Sequence, residues 1–142
     1  MSTDLDLEQD DDAWVNDDLD VAHVDGAVSL TIHTGGAAPA EATLARIRAL
    51  LADVRPAVLL AARSIGESAY DRAHFAELGV DEDDLPDETP ESIAAALQLE
   101  SITCDEAGPD DFELSFAVSW DDDHSYDVAF RDGNPVTVAV NG

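Results

Sequence analysis

The stretch Phe112-Glu113-Leu114-Ser115-Phe116-Ala117-Val118-Ser119-Trp120 decides the fold. Large apolar side chains occupy every even position and small or acidic ones every odd position, the period of a strand with one buried face. The alternation resumes in Tyr126, Val128 and Phe130, and again in Val136, Val138 and Val140. A five-residue turn at 121–125 would pair Val118 with Val128. A three-residue turn at Asp132-Gly133-Asn134, where Gly or Asn can take positive φ, would pair Phe130 with Val136. Upstream, Ile102 and Cys104 fall opposite Leu114 and Phe112. The expectation is a four-stranded antiparallel meander with its apolar residues on one face. The other face shows Ser101, Thr103, Ser115, Ala117, Ser119, Asp127, Ala129, Thr137 and Ala139. Such a face is either left to water or used for docking. Ser115, Ala117, Ser119, Ala129 and Thr137 are its candidate partner contacts, and either edge strand could accept a partner strand.

Working back from the meander, Thr89-Pro90-Glu91 reads as a cap followed by proline in a first turn, opening a short helix over Ile93 to Leu97. Before it, Leu44, Ile47, Leu50, Leu51 and Val54 recur at helical spacing after Pro39. Pro56 kinks that segment or starts a second helix running from Ala57 to about Leu78, with Gly79 as its stop. The run from Ala57 to Ala62 has no polar residue and should be buried almost all round. Earlier still, Asp25-Gly26 is a two-residue hairpin signal that would pair His23 with Val28, Val21 with Leu30 and Leu19 with Ile32. Residues 1–12 read as a disordered acidic tail. The sequence thus predicts a single α+β domain over 13–142: an N-terminal hairpin, two to three helices and a C-terminal meander packed on them.

Charge decides which partners the chain refuses. It carries 33 acidic residues against 6 basic ones in 142 residues, all six basic residues are Arg, and the formal net charge is -27. A chain this acidic is disordered when it has little to bury, but 45% of these residues are apolar and they fall in periodic blocks. The acids therefore belong on the outside of a folded domain. At about 1 M salt the Debye length shrinks to about 3 Å, which screens their mutual repulsion. Asp in excess of Glu, no lysine, and abundant Ala and Val fit a salt-rich cytoplasm. A rival reading is an acidic mimic of nucleic acid. Direct binding to nucleic acid or to an anionic membrane is disfavoured, and no stretch is apolar enough for a spanning helix. No basic-then-apolar leader opens the sequence, so a cytoplasmic location is expected.

The acids are unevenly placed. Ten lie in residues 1–26, seven in 81–91 and nine in 100–123, whereas 27–63 hold only Glu41 and Asp53 beside Arg46, Arg48, Arg55 and Arg63. This basic patch points to acidic loops or an acidic partner facing the central helices.

Signals for chemistry are few. His23, His33, His74 and His124 include no i, i+4 pair that would align two metal ligands on a helix. The most site-like patch is Asp121-Asp122-Asp123-His124, where a turn could gather the Asp121 and Asp123 carboxylates and His124 around a hard cation; a solvated acidic turn is the plainer reading. The acidic run from Asp81 has Pro86 and Ser92 where a calcium loop needs Gly and Glu. Cys104, on the apolar face of a strand, should be an inert packing thiol, and a lone cysteine forms no internal disulfide. No nucleophile elbow, phosphate loop or dinucleotide fingerprint occurs, so no cofactor is expected.

Thr89-Pro90-Glu91, Leu97-Gln98-Leu99-Glu100-Ser101-Ile102, Phe112-Glu113-Leu114-Ser115-Phe116, His124, Asp132-Gly133 and Val138-Ala139-Val140-Asn141-Gly142 together resemble an uncharacterised bacterial and archaeal domain family of unknown function. The likeness runs from Trp14 to Gly142. It implies an N-terminal strand pair, a helical middle and a meander. It also implies a role as an immunity-type or accessory binding protein without catalysis. The family pattern carries glycine before the histidine, where this chain has Asp122-Asp123. Together these readings favour a non-enzymatic module that binds a protein partner. The alternatives are an enzyme or cation binder at the Asp121–His124 turn, and the nucleic-acid mimic.

Overall fold

In the computed structural model, residues 7–21, 24, 26–105 and 108–141 are described. The chain is α+β. Its elements run β1 (Glu8–Asp10), β2 (Ala13–Leu19), β3 (Val28–His33), α1 (Glu41–Ala52), α2 (Arg55–Ser68), α3 (Arg72–Glu77), a 3₁₀ turn (Glu82–Asp84), α4 (Pro90–Ala95), β4 (Leu97–Asp105), β5 (Gly108–Val118), β6 (Asp121–Arg131) and β7 (Asn134–Asn141). The seven strands of the described residues form one sheet in chain order. Every neighbouring pair is antiparallel except β3 and β4, which lie parallel because the helical segment returns the chain between them. The expected hairpin and meander are therefore not separate units; the β3–β4 ladder joins them.

The periodicity of the strands dictates the core. Val28, Leu30 and Ile32 of β3, Ile102 and Cys104 of β4, Leu114, Phe116 and Val118 of β5, and Tyr126, Val128 and Phe130 of β6 are all buried. They meet Ile47 of α1, Ala61, Ala62 and Ile65 of α2, and Ile93 of α4 in one cluster. Truncating one of the larger of these, such as Leu114→Ala, should cost about 2–5 kcal/mol. Gly66 lets two helices approach closely: a Cβ there would sit 2.9 Å from Ile93 Cδ1.

Several expectations need correction. The helix expected over 57–78 is two helices. Asp71 breaks it by accepting hydrogen bonds from the backbone N–H groups of Ala73 and His74, capping α3 while Tyr70 turns into the core. The described residues thus hold four α-helices, rather than two or three. The short helix ends at Ala95, and Leu97 already belongs to β4, although Thr89 caps it as expected through Ser92 N–H. Pro56 lies in the first turn of α2, where a missing N–H costs nothing.

The N-terminal register also differs. Leu19 lies opposite Val28, Asn16 opposite Leu30 and Trp14 opposite Ile32, so Val21 and Leu19 do not pair with Leu30 and Ile32. An irregularity between Asn16 and Leu19 shifts the register, and the expected Asp25-Gly26 turn includes Asp25, which lies outside the described residues. The expected His23–Val28 pair lies outside the described residues. Residues 8–10 of the expected tail form β1, held because Gln9 faces Trp14 and its side-chain amide donates to the Gly36 carbonyl at 2.9 Å. Residues 1–6 lie outside the described residues.

In the C-terminal half, Ile102 faces Leu114 and Cys104 faces Phe112, as the alternation requires. Val128, however, lies opposite Leu114 rather than Val118. The β5–β6 turn is Ser119-Trp120, and residues 122–125 of β6 bulge opposite Ala117. The displacement is even-numbered, so the same residues still face the core. Between β6 and β7, Asp132 and Gly133 both take positive φ in a two-residue turn. Val128 faces Val138, and an irregularity places Pro135, not Val136, opposite Phe130.

Candidate functional site

Two-layer construction leaves one sheet face without helical cover among the described residues. Alternation carries Ser29 and Thr31 of β3, Ser101 and Thr103 of β4, Ser115 and Ala117 of β5, Asp127 and Ala129 of β6, and Thr137 and Ala139 of β7 onto it. Cross-strand pairing makes the patch continuous: Ser115 faces Asp127, Asp127 faces Ala139, and Ala129 faces Thr137. Four of the five residues singled out as partner contacts thus come together.

Ser119 does not join them. It stands in the β5–β6 turn, where its hydroxyl donates to the Asp84 carbonyl at 2.8 Å and its backbone N–H to the Ala96 carbonyl at 3.2 Å. Those bonds tie the turn to the helical layer. The strand alternation that placed Ser119 on the open face stops at Val118.

Asp127 organises the middle of the face. It accepts from the Ser115 hydroxyl at 2.5 Å and from the side-chain amide of Asn141. The Glu113 carboxyl is held above the usual glutamate range, first by burial and then by the charge of Asp127. Neither the Asn141 contact nor the Glu113 effect is visible in local spacing, because the residues meet only once three strands are in register.

The acidic turn is the second candidate. As the bulge forms, His124 folds back so that its Nδ1 lies 2.9 Å and 2.8 Å from the two carboxylate oxygens of Asp121, and the Asp123 N–H donates to Asp121 at 3.2 Å. The hydrogen bond to Asp121 raises the His124 pKa, with further help from the charges of Asp121 and Asp123. Asp121, Asp123 and His124 line a cavity of about 510 Å³ together with Glu100, Ala117, Ser125 and Asn141. The bulge and the open face therefore share a border at Ala117. Among the described residues, no group of three or more His, Cys, Asp or Glu is arranged to hold a metal ion.

Elsewhere several chemistry-bearing side chains are engaged in structure. The Cys104 thiol is buried and pushed up to about 12 by desolvation. Arg55 grips Asp53 through two bonds of 2.8 and 2.9 Å, Arg63 meets Glu67 at 3.3 Å, and Arg48 and Arg72 approach Glu41 and Glu82 at 3.9 Å. The carboxylates beside Arg48, Arg55 and Arg63 are thus neighbours on the same helices or at the junction of α1 and α2, not members of the acidic loops. No described helix is long and apolar enough to cross a membrane. No family model, curated protein or solved structure matches the chain.

Proposed function

We propose that this domain is a non-enzymatic protein-binding module of a salt-rich cytoplasm, and that its partner docks on the open face of the sheet. The observation that carries the reading is the continuity of that face around Ser115, Ala117, Ala129 and Thr137. Small side chains let a partner approach the sheet closely, and the central polar groups already satisfy one another. The family resemblance adds an immunity-type or accessory role.

The charge is assigned to the solvent. A net charge of -27 opposes compaction in dilute buffer and is tolerated when multimolar salt screens it. Equilibrium unfolding across a KCl series should therefore show folding only near molar salt. Stability in dilute buffer would instead bring a basic partner or nucleic-acid mimicry to the front.

The docking surface is tested by capturing a partner in multimolar KCl. Ala129→Arg should abolish capture, and the pair Asp123→Ala and His124→Ala should leave it intact. The second reading, a cation-dependent binder or enzyme, is favoured by the cavity beside the bulge. It predicts the reverse pattern, with a bound cation lost in the Asp123 and His124 variants.

A further inference from the structure

The two edges of the sheet are unlike each other. One is β1, three residues long with two acids, Glu8 and Asp10. Short length and charge are the devices that keep an edge from pairing. The other is β7, eight residues long, with no charged side chain in a chain of net charge -27. On the helical side of β7, Val138 packs against the core and Val140 is 44% exposed, while Val136, at the irregularity opposite Phe130, is 55% exposed and borders the open face beside Thr103, Glu113 and Ala129. At the start of the strand, the exposed Leu60 of α2 lines the same cavity as Gly133. Pro135 and the irregularity beside it blunt the start of this edge, and the uncharged run from Thr137 to Asn141 beyond them is a template for another strand.

We infer that this strand is a second copy of β7, paired antiparallel about a two-fold axis so that one sheet runs through both chains. Charge selects the occupant. Copies this acidic repel one another over most of their surface, so they can meet closely only along a neutral strip, and β7 supplies one. A basic segment would find no carboxylate on β7 to pair with. Sequence selects the register. Val136-Thr137-Val138-Ala139-Val140 reads nearly the same in both directions about Val138. Antiparallel pairing centred there sets Val138 against the partner copy's Val138, and brings Val136, at the irregularity of the strand, opposite the partner copy's Val140. Thr137 meets Ala139 on the open face. Such β-branched cross-strand pairs stabilise sheets, and a self-complementary patch is what a two-fold interface requires. The pairing also joins the open faces of the two copies edge to edge, through Thr137 and Ala139.

The experiment is sedimentation of the full chain across a KCl series, with Trp fluorescence reporting folding. The wild type should dimerise more tightly as salt rises, because screening removes the repulsion while apolar contact persists. Val136→Lys with Val140→Lys, both at exposed positions, should stay folded and weaken dimerisation by at least roughly tenfold. A short bis-maleimide should cross-link chains carrying Thr137→Cys and leave chains carrying Glu8→Cys uncross-linked; Cys104 is too buried to compete. A folded wild type that remains monomeric in multimolar KCl would overturn the inference. So would a dimer that survives the two lysines, or one that cross-links through residue 8 and not residue 137.

Discussion

The Trp120 indole N–H donates a 3.0 Å hydrogen bond to the Tyr126 hydroxyl, and the two rings meet edge to face at 82°. Both residues are buried. Tyr70 completes the group, its ring 4.4 Å from Trp120 and its hydroxyl donating to the Pro86 carbonyl at 2.6 Å. One aromatic cluster therefore fastens the β5–β6 turn to the break between α2 and α3 and to the acidic loop beyond.

Tyr126→Phe keeps the ring but orphans the indole N–H in a dry site. The expected cost is about 1–3 kcal/mol, the penalty for a buried donor without a partner. Trp120→Phe together with Tyr126→Phe removes both polar groups, so the pair should cost less than the sum of the single changes. A double-mutant cycle by denaturant unfolding, run at a salt concentration where the wild type is folded, measures the difference. Burial holds the Tyr126 phenol above its ordinary range and outweighs the opposing effect of the Trp120 bond. The hydroxyl thus stays neutral, and the coupling should not vary between pH 6 and 9.

Cys104 offers a probe of the same equilibrium. Its thiol is pushed up to about 12 by burial, so almost no thiolate exists at neutral pH and no reagent can reach the sulfur. A thiol-specific colour reagent should leave the folded protein unlabelled and react only through unfolding. If lowering KCl unfolds the chain, labelling should switch on at the same concentration at which Trp120 fluorescence changes. Labelling at full salt would show that β4 opens independently of the core.

Periodicity made the α+β class, the buried face of each C-terminal strand and the cap of α4 legible in the sequence. Val118, Tyr126 and Val128 kept their faces even though the turn was misplaced, because a register change of even length preserves alternation. Other features depend on contacts that no local pattern encodes. The parallel β3–β4 ladder arises from the return of the chain across a helical layer, and β1 from the contact of Gln9 with Gly36. Asp71 broke a continuous helical pattern because its side chain bonded the backbone ahead of it. On the open face, the residue types pointed to Ser115, Ala117, Ala129 and Thr137. Ser119 leaves that face for the β5–β6 turn, and nothing in the alternation marks where a strand ends.

His124 should titrate above the ordinary histidine value of about 6.5. The hydrogen bond to Asp121 is the main cause, so Asp121→Asn should move its midpoint down by more than Asp123→Asn does. Ring-proton NMR against pH reads both. A raised histidine favours the folded state below its unfolded pKa, and that gain fades as pH rises through the folded value. The ring is exposed, so the gain should be slight. His124→Ala should leave the unfolding midpoint nearly unchanged at pH 8.

Glu113 titrates with the opposite consequence to that of a carboxylate in an ion pair. Burial and the nearby Asp127 raise its pKa, so folding favours the neutral acid. The stability linked to this group is present in full below the unfolded value of about 4.3 and is lost as pH rises through the folded value. At pH 7 the folded chain therefore holds an unfavourable charge on its open face. Glu113→Gln should raise the unfolding midpoint at pH 7, and the advantage should vanish when the comparison is repeated near pH 3.5, where the wild-type side chain is neutral as well. Asp127→Asn should narrow the effect at pH 7 by removing the like charge, although it also weakens the acceptor for Ser115 and Asn141. An unfolding midpoint for Glu113→Gln below that of the wild type at pH 7 would mean that the carboxylate is stabilised by a contact made only when it is charged.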